Sequence, residues 1–106
     1  MLDGGIDALA GRIREKFRAR KVFLSFDMDV VDPAFAPGVQ TPEAGGPTAR
    51  DMLRLLRSLR GLNLVGADVV EMNSNYDAGQ ITALLAATVA AEILALIAVW
   101  KRDNRG

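Results

Sequence analysis

Two strand-like segments separated by a helical segment constrain this 106-residue chain more than any other feature. Lys21 to Phe26 and Leu62 to Val70 are rich in the apolar residues that favour buried strands. Apolar residues recur at helical spacing in the segments before, between and after these two runs. A strand, a helix and a second strand in succession form a right-handed unit with parallel strands. The sequence therefore predicts an α/β fold in the order helix, strand, helix, strand, helix.

Three helices are predicted from apolar spacing and capping residues. The first covers about residues 5 to 18, with basic residues opposite its apolar stripe. Thr48 and Asp51 form the N-terminal capping pair of the second helix, and Gly61 ends it. Asp77 is a candidate N-cap for a long alanine-rich third helix. Each helix thus has a defined place between or beside the strands.

The predicted sheet is incomplete. Two parallel strands are too few for an independent sheet, and parallel sheets normally carry helices on both faces. We therefore expect a three-layer α-β-α parallel-sheet fragment that belongs to a larger doubly wound domain. Open strand edges pair readily with other chains. The chain is expected either to form a homo-oligomer or to require a missing N-terminal portion.

Charge and composition exclude several classes of protein. Lys plus Arg equals Asp plus Glu, with 13 of each, so no net field favours nucleic acid or an anionic membrane. Cysteine and histidine are absent from the sequence. Any metal ion must then use oxygen ligands, and no imidazole can carry protons. The amino terminus has no signal pattern, which predicts a cytoplasmic protein.

One segment is long and apolar enough to be mistaken for a membrane span. It runs from Ile81 to Trp100. Glu92 lies near its middle, where a carboxylate in lipid is costly, and alanine supplies much of the run. We interpret this segment as a helix packed into a soluble core.

Carboxylates cluster directly after the first predicted strand. Asp27 and Asp29 are two residues apart, so in an extended chain their side chains share a face. Neighbouring carboxylates repel each other unless a cation lies between them, and hard divalent cations prefer oxygen ligands. Ligands of open α/β sheets bind beyond the carboxyl ends of the strands, where these residues lie. The alternative is that the aspartates only cap a loop or turn.

Four segments together carry a resemblance to the ureohydrolase (arginase/agmatinase) family, and to agmatinases in particular, over about residues 5 to 99. They read Ser-Phe-Asp-Met-Asp at 25–29, Asp-Pro-Ala-Phe-Ala-Pro-Gly at 32–38, Thr-Pro-Glu-Ala-Gly-Gly at 41–46 and Asp-Val-Val-Glu-Met-Asn at 68–73. The resemblance implies an arginase-like domain, of which residues 1–106 form the C-terminal part. It also implies hydrolysis of a small guanidinium substrate, such as agmatine to putrescine plus urea, at a dinuclear manganese centre.

The resemblance implies roles for four residues. By position, Asp27 would bridge two manganese ions and Asp29 would bind one of them. Glu71 would meet the substrate guanidinium, for which a structural salt bridge is the alternative, and Thr41 would line the site. Asp32 has a separate explanation, because an aspartate before a proline favours an Asx-type turn.

The chain also departs from this family. Members of the family have a Gly-Gly-Asp-His motif and an Asp-Ala-His-x-Asp motif, and neither occurs in this sequence. The histidine ligands and the proton-shuttling histidine are therefore absent as well. Two aspartates are a minority of the ligands that a dinuclear centre needs, so we expect the chain alone to be inactive and to bind manganese weakly or not at all. The alternative function is an inactive α/β interaction module that associates through its open sheet edges.

Overall fold

The structure is a computed structural model, and it describes residues 5–32, 34–38, 46–73, 75, 77 and 80–104. Its regular elements occur in the predicted order, and a short 3-10 turn at Met28–Val30 follows the first strand. The helices and strands are α1 (Gly5–Phe17), β1 (Lys21–Asp27), α2 (Ala49–Arg57), β2 (Asn63–Val70) and α3 (Ile81–Asp103). The predicted α/β class is confirmed.

The two strands form a parallel pair. Lys21 lies opposite Asn63 at one end, and Asp27 lies opposite Val70 at the other. A register shift after Val22 leaves one extra residue in β2. Such a bulge increases the local twist without ending the pairing.

The helices pack against one another and against the sheet. α1 contacts α2, α2 contacts α3, and α3 contacts β2. Along β1, Phe26 is buried and Val22 and Leu24 are half-buried, whereas the alternate side chains are exposed, Phe23 by 62%. The described residues thus supply the sheet and a helical layer on one of its faces. The core that this layer closes includes Ala10, Phe26, Met52, Leu56, Leu64, Val89 and Ile93.

The predicted capping pair of α2 is present. Thr48 Oγ1 accepts a hydrogen bond from the Asp51 amide (3.0 Å), and Asp51 Oδ2 accepts one from the Thr48 amide (3.3 Å). The helix itself ends at Arg57, before the predicted end, and a turn continues to Gly61, which has φ +103°. Glycine adopts this left-handed conformation without steric cost.

Helix α3 is long and apolar enough to cross a membrane by length and composition, as the sequence indicated. Its buried residues recur every three or four positions, and the apolar ones belong to the same core as the strands. Glu92, half-buried, accepts hydrogen bonds from Arg57 Nε (3.0 Å) and Arg57 Nη2 (2.7 Å) of α2. These contacts are those of a helix packed within an α/β unit.

Candidate functional site

The carboxyl ends of β1 and β2 bring three of the predicted site residues to one edge of the sheet. Asp27 ends β1 and lies opposite Val70, which ends β2. Glu71 follows Val70 directly, and Asp29 lies two residues beyond Asp27. Neighbouring strands are about 5 Å apart. The parallel register therefore accounts for the approach of two segments that are more than forty residues apart in sequence.

The backbone at Asp27 and Asp29 differs from the prediction. The two aspartates do not share a strand face, because β1 ends at Asp27 and Asp29 lies in the 3-10 turn. Asp27 Oδ1 accepts a hydrogen bond from the Asp29 amide (2.8 Å) and so caps this turn. Met28 is fully buried between them, which pulls the chain out of the extended conformation. The capping role considered from the sequence is thus present for Asp27.

Capping does not use the whole carboxylate of Asp27. The bond to the Asp29 amide involves one of its two oxygens, and the side chain is exposed at the edge of the sheet. Asp29 is half-buried beside it. The pair presents hard oxygen donors of the kind that manganese accepts.

The number of donors is smaller than a complete metal site requires. Manganese bound by oxygen is typically six-coordinate. Among the residues described, no group of three or more His, Cys, Asp or Glu side chains is placed to hold a metal ion. The donor type of Asp27 and Asp29 therefore fits a manganese site, and their number fits only part of one.

Asp32 forms the predicted Asx-type turn. Its Oδ1 accepts a hydrogen bond from the Ala34 amide (2.9 Å), and its own amide donates to the Pro47 carbonyl (2.9 Å). The second bond closes the base of the loop between β1 and α2. A Cβ on Gly46 would lie 2.8 Å from the Val30 carbonyl oxygen, so this closure requires glycine. Thr41 belongs to residues 39–45 of this loop, which lie outside the described part of the chain.

Glu71 has an unusual backbone conformation. Its φ is +66°, in the left-handed region that side-chain-bearing residues seldom adopt. The side chain is exposed, and no ion pair to Glu71 occurs within the described ranges. The described residues therefore give no support to a structural salt bridge at Glu71. Conformations of this kind cost about 1 kcal/mol or more and cluster at functional sites.

A set of hydrogen bonds near Glu71 joins the loop after β1 to the loop after β2, and the sequence did not reveal it. Gly38 O accepts from the Asn73 amide (2.5 Å), and the Gly38 amide donates to buried Thr82 Oγ1 (2.6 Å). Asp77 accepts from the amides of Thr82 (2.8 Å) and Ala83 (3.0 Å). We call Gly38, Asn73, Asp77 and Thr82 the loop latch.

The loop latch also caps α3. Asp77 does so from outside the helix, because the N-cap position is held by Gln80, whose side chain makes no capping bond. Partial burial alone would raise the pKa of Asp77. Hydrogen bonds from Thr82 and Ala83 outweigh it and lower the pKa below its ordinary value. The carboxylate is thereby held ionised at the start of the helix, where negative charge is favourable.

A second contact between the strands lies just below this edge. Ser25 Oγ donates to Asp68 Oδ1 (2.5 Å) across the paired positions of β1 and β2. Both side chains are exposed on the sheet face that carries Phe23. Asp68 is therefore engaged in joining the strands, a role that the sequence did not predict.

The chain is similar to a known protein family and to curated proteins in two bacteria. The arginase family matches residues 1–96 of the chain. The chain is 50% identical over 94 residues to a guanidinopropionase of Pseudomonas aeruginosa, covering 89% of this chain and 30% of that protein. It is 48% identical over 99 residues to an agmatinase of Proteus mirabilis, and this match covers 93% of this chain and 32% of that protein.

A solved structure agrees with these sequence matches. The chain superposes on the proclavaminate amidino hydrolase of Streptomyces clavuligerus with a TM-score of 0.88 and 48% identity, over 91% of this chain and 32% of that one. The fold of this chain is thus shared with part of that solved structure. The chain belongs to the arginase family. It spans about a third of the length of the curated relatives that it matches.

Proposed function

We propose that this chain is the C-terminal part of an agmatinase-type ureohydrolase, which hydrolyses a guanidinium group to urea and an amine. The observation that carries the proposal is the parallel register of β1 and β2, which pairs Asp27 with Val70 and so brings the segments of Asp29 and Glu71 to one edge of the sheet. The relatives matched at about 50% identity include a guanidinopropionase and an agmatinase. Agmatine is therefore the substrate to test first.

Asp27 and Asp29 would hold manganese in this proposal. The metal supplies Lewis acidity, which lowers the pKa of water and provides a nucleophile near neutral pH. Asp27 would hold the metal with its second carboxylate oxygen, since the first accepts the hydrogen bond from the Asp29 amide. The capping bond from that amide orients the carboxylate of Asp27, which would favour metal binding.

Glu71 and Thr41 would bind the substrate. A carboxylate presents two oxygens to the N–H groups of a planar guanidinium, and this charged, bidentate pairing is strong and directional. The left-handed backbone of Glu71 sets the direction of its side chain at the sheet edge. Thr41 is placed in the site by resemblance alone.

The remaining ligands and the proton carrier lie outside this sequence. It contains no histidine, and the described acids supply only part of a metal site. We therefore propose that the isolated chain is inactive and that the rest of the ureohydrolase domain completes the centre. A cytoplasmic location, predicted from the sequence, fits this enzyme class and stays a prediction.

The choice among guanidinium substrates is proposed to lie outside these residues as well. A guanidinopropionase, an agmatinase and a proclavaminate amidino hydrolase match the chain at 50%, 48% and 48% identity. Their names imply substrates that share the guanidino group and differ in the rest of the molecule. A segment equally similar to all three carries the common chemistry of that group.

The test uses a fused protein, in which the two thirds of Proteus mirabilis agmatinase outside the match are joined to this chain. We expect urea release from agmatine with added manganese by the fused protein and none by the chain alone. Glu71→Gln should lower urea release at least a hundredfold, because the charged acceptor for the guanidinium is lost. Asp103→Asn, an exposed change at the far end of α3, is the matched control. Equal activity of the two variants would contradict the role of Glu71.

A second candidate function is an inactive interaction module. Phe23 is exposed on the sheet face that the described helices do not cover, and this favours association with another protein. A fused protein that folds but releases no urea would favour this candidate over the hydrolase.

A further inference from the structure

Thr82, in the first turn of α3, is a fully buried polar side chain, and among the described residues it is the only one. Its hydroxyl oxygen accepts a hydrogen bond from the Gly38 amide (2.6 Å), and the hydroxyl also forms a side-chain hydrogen bond with Asp77. A buried polar group fixes the position of its partners, because any movement would leave it unpaired away from water. The hydroxyl of Thr82 therefore holds Gly38 in one place relative to α3.

Gly38 passes this restraint to the segment that follows β2. The Gly38 carbonyl oxygen accepts a hydrogen bond from the Asn73 amide (2.5 Å). At the other end of the segment, Val70 is held as the last residue of β2 by its pairing with β1. Two residues, Glu71 and Met72, lie between these fixed points. The direction of the Glu71 side chain is thus set from both ends.

The backbone of Glu71 depends on such a restraint. Its φ of +66° lies in the left-handed region, which is unfavourable for a residue with a side chain. Both Glu71 and Met72 are exposed, so burial of their side chains does not hold this conformation. Within the described residues, the strand pairing and the bond between Asn73 and Gly38 hold it. Without the second contact, the segment could return to a more favourable conformation, and the Glu71 carboxylate would point elsewhere.

We propose that Thr82 is a positioning residue for guanidinium hydrolysis, which holds the direction of the Glu71 carboxylate through Gly38 and Asn73. The inference rests on the proposed function, because that function gives Glu71 its role at the guanidinium. Bidentate pairing of a carboxylate with a guanidinium requires that the two planar groups face each other. A small misplacement of either group weakens the pairing and slows the reaction. Thr82 itself does not touch the substrate in this proposal.

The alternative is that Thr82 only stabilises α3 and the core. A variant that is merely less stable contains less folded enzyme, which lowers the apparent kcat and leaves KM for agmatine unchanged. A Glu71 carboxylate that points elsewhere binds the guanidinium more weakly, which raises KM. The two roles of Thr82 therefore differ in their effect on KM.

The first experiment measures KM and kcat for agmatine in the fused protein with added manganese. Thr82→Val keeps the shape of the side chain and removes the hydroxyl, whereas Thr82→Ser keeps the hydroxyl. Thr88→Val is the matched control, because Thr88 is exposed on α3 and its hydroxyl donates only to the Leu84 carbonyl of the same helix (2.9 Å). We expect Thr82→Val to raise KM about tenfold, the effect of one lost hydrogen bond, and the other two variants to stay within about twofold of the wild type. An unchanged KM in Thr82→Val, or an equal rise in Thr82→Ser, would overturn the proposal.

A double-mutant cycle tests whether Thr82 acts through Glu71. In the Glu71→Gln background, Thr82→Val should change kcat/KM by less than about twofold, because the interaction that Thr82 positions is already lost. A full tenfold fall in that background would mean that Thr82 acts by another route, and the proposal would be wrong.

The last experiment does not depend on catalysis. Hydrogen–deuterium exchange of the Asn73 amide is measured in the isolated chain and in the fused protein, and circular dichroism checks that each variant is folded. Thr82→Val should speed this exchange about tenfold, because the acceptor on Gly38 is no longer held, whereas Thr88→Val should leave it unchanged. Equal exchange in the two variants would contradict the restraint. Faster exchange in Thr82→Val, together with no urea release by the wild-type fused protein, would support the restraint and contradict the proposed function, so the two failures are distinguishable.

Discussion

Gly38 is the position where a single methyl group should do most damage to the candidate site. A Cβ there would lie 2.6 Å from Asp77 Cβ and 2.9 Å from Asp77 Cγ. The first distance is about 0.8 Å short of ordinary contact. Because Asp77 Cβ is attached to the backbone, a rotation of the side chain cannot relieve the clash. The loop after β1 must therefore move away from Asp77.

This movement has a cost that can be worked from the contacts. Overpacking of a tightly packed position costs about 1–3 kcal/mol. The shift also weakens the Gly38 amide bond to buried Thr82 Oγ1, and a lost buried hydrogen bond adds about 1 kcal/mol. We expect Gly38→Ala to lower the free energy of unfolding by about 2–4 kcal/mol. In a domain of this size, that lowers Tm by about 10 °C or more.

The assay is urea and thermal unfolding followed by circular dichroism, with Gly11→Ala as the matched control. Gly11 lies inside α1, and an added Cβ meets no atom within 4 Å. Alanine there should stabilise the chain by about 0.5–1 kcal/mol, because it favours the helix. The two glycine-to-alanine changes should thus have opposite signs. A Gly38→Ala protein as stable as the wild type would refute the loop latch.

Three further changes test other parts of the structure. Thr48→Ala removes the acceptor of the hydrogen bond from the Asp51 amide, and it should lower the free energy of unfolding in urea by about 1 kcal/mol. An unchanged free energy of unfolding would show that the cap is dispensable. Glu71→Gly should raise the free energy of unfolding by about 1 kcal/mol, since glycine adopts the left-handed backbone conformation without strain. The same change should abolish urea release by the fused protein. A destabilised variant would contradict backbone strain at Glu71. The pKa of Asp77 is lowered in the folded chain, so its stabilising contribution is present above the unfolded pKa and is lost as pH falls through the folded pKa. Asp77→Asn should therefore reduce the loss of stability that the wild type shows on acidification below about pH 4, and an unchanged pH profile would contradict this role.

Local patterns were sufficient for the order of elements. The apolar runs of β1 and β2 and the Thr48–Asp51 capping pair depend on residues close in sequence, and the structure contains all of them. The Asx-type turn at Asp32 is local in the same way. The parallel pairing follows from the order itself, since a helix between two strands returns the chain to the same end of the sheet.

Features that depend on tertiary packing were missed or placed wrongly. Asp27 and Asp29 alternate as strand residues would, but the burial of Met28 turns the chain into a 3-10 turn. The contact between Gly38 and Asp77 joins residues about forty positions apart, and no local pattern reveals such a close approach. Gly38 directly follows Pro37, and a glycine after a proline is ordinary in any loop.

Calorimetric titration of the purified chain with manganese tests the central claim most directly. We predict weak, roughly millimolar binding, because two carboxylates offer only part of a coordination shell. The Asp27→Asn, Asp29→Asn double variant should lose this binding, while Asp103→Asn should keep it. Two manganese ions bound at micromolar affinity by the chain alone, or identical titrations of the wild type and the double variant, would contradict the account.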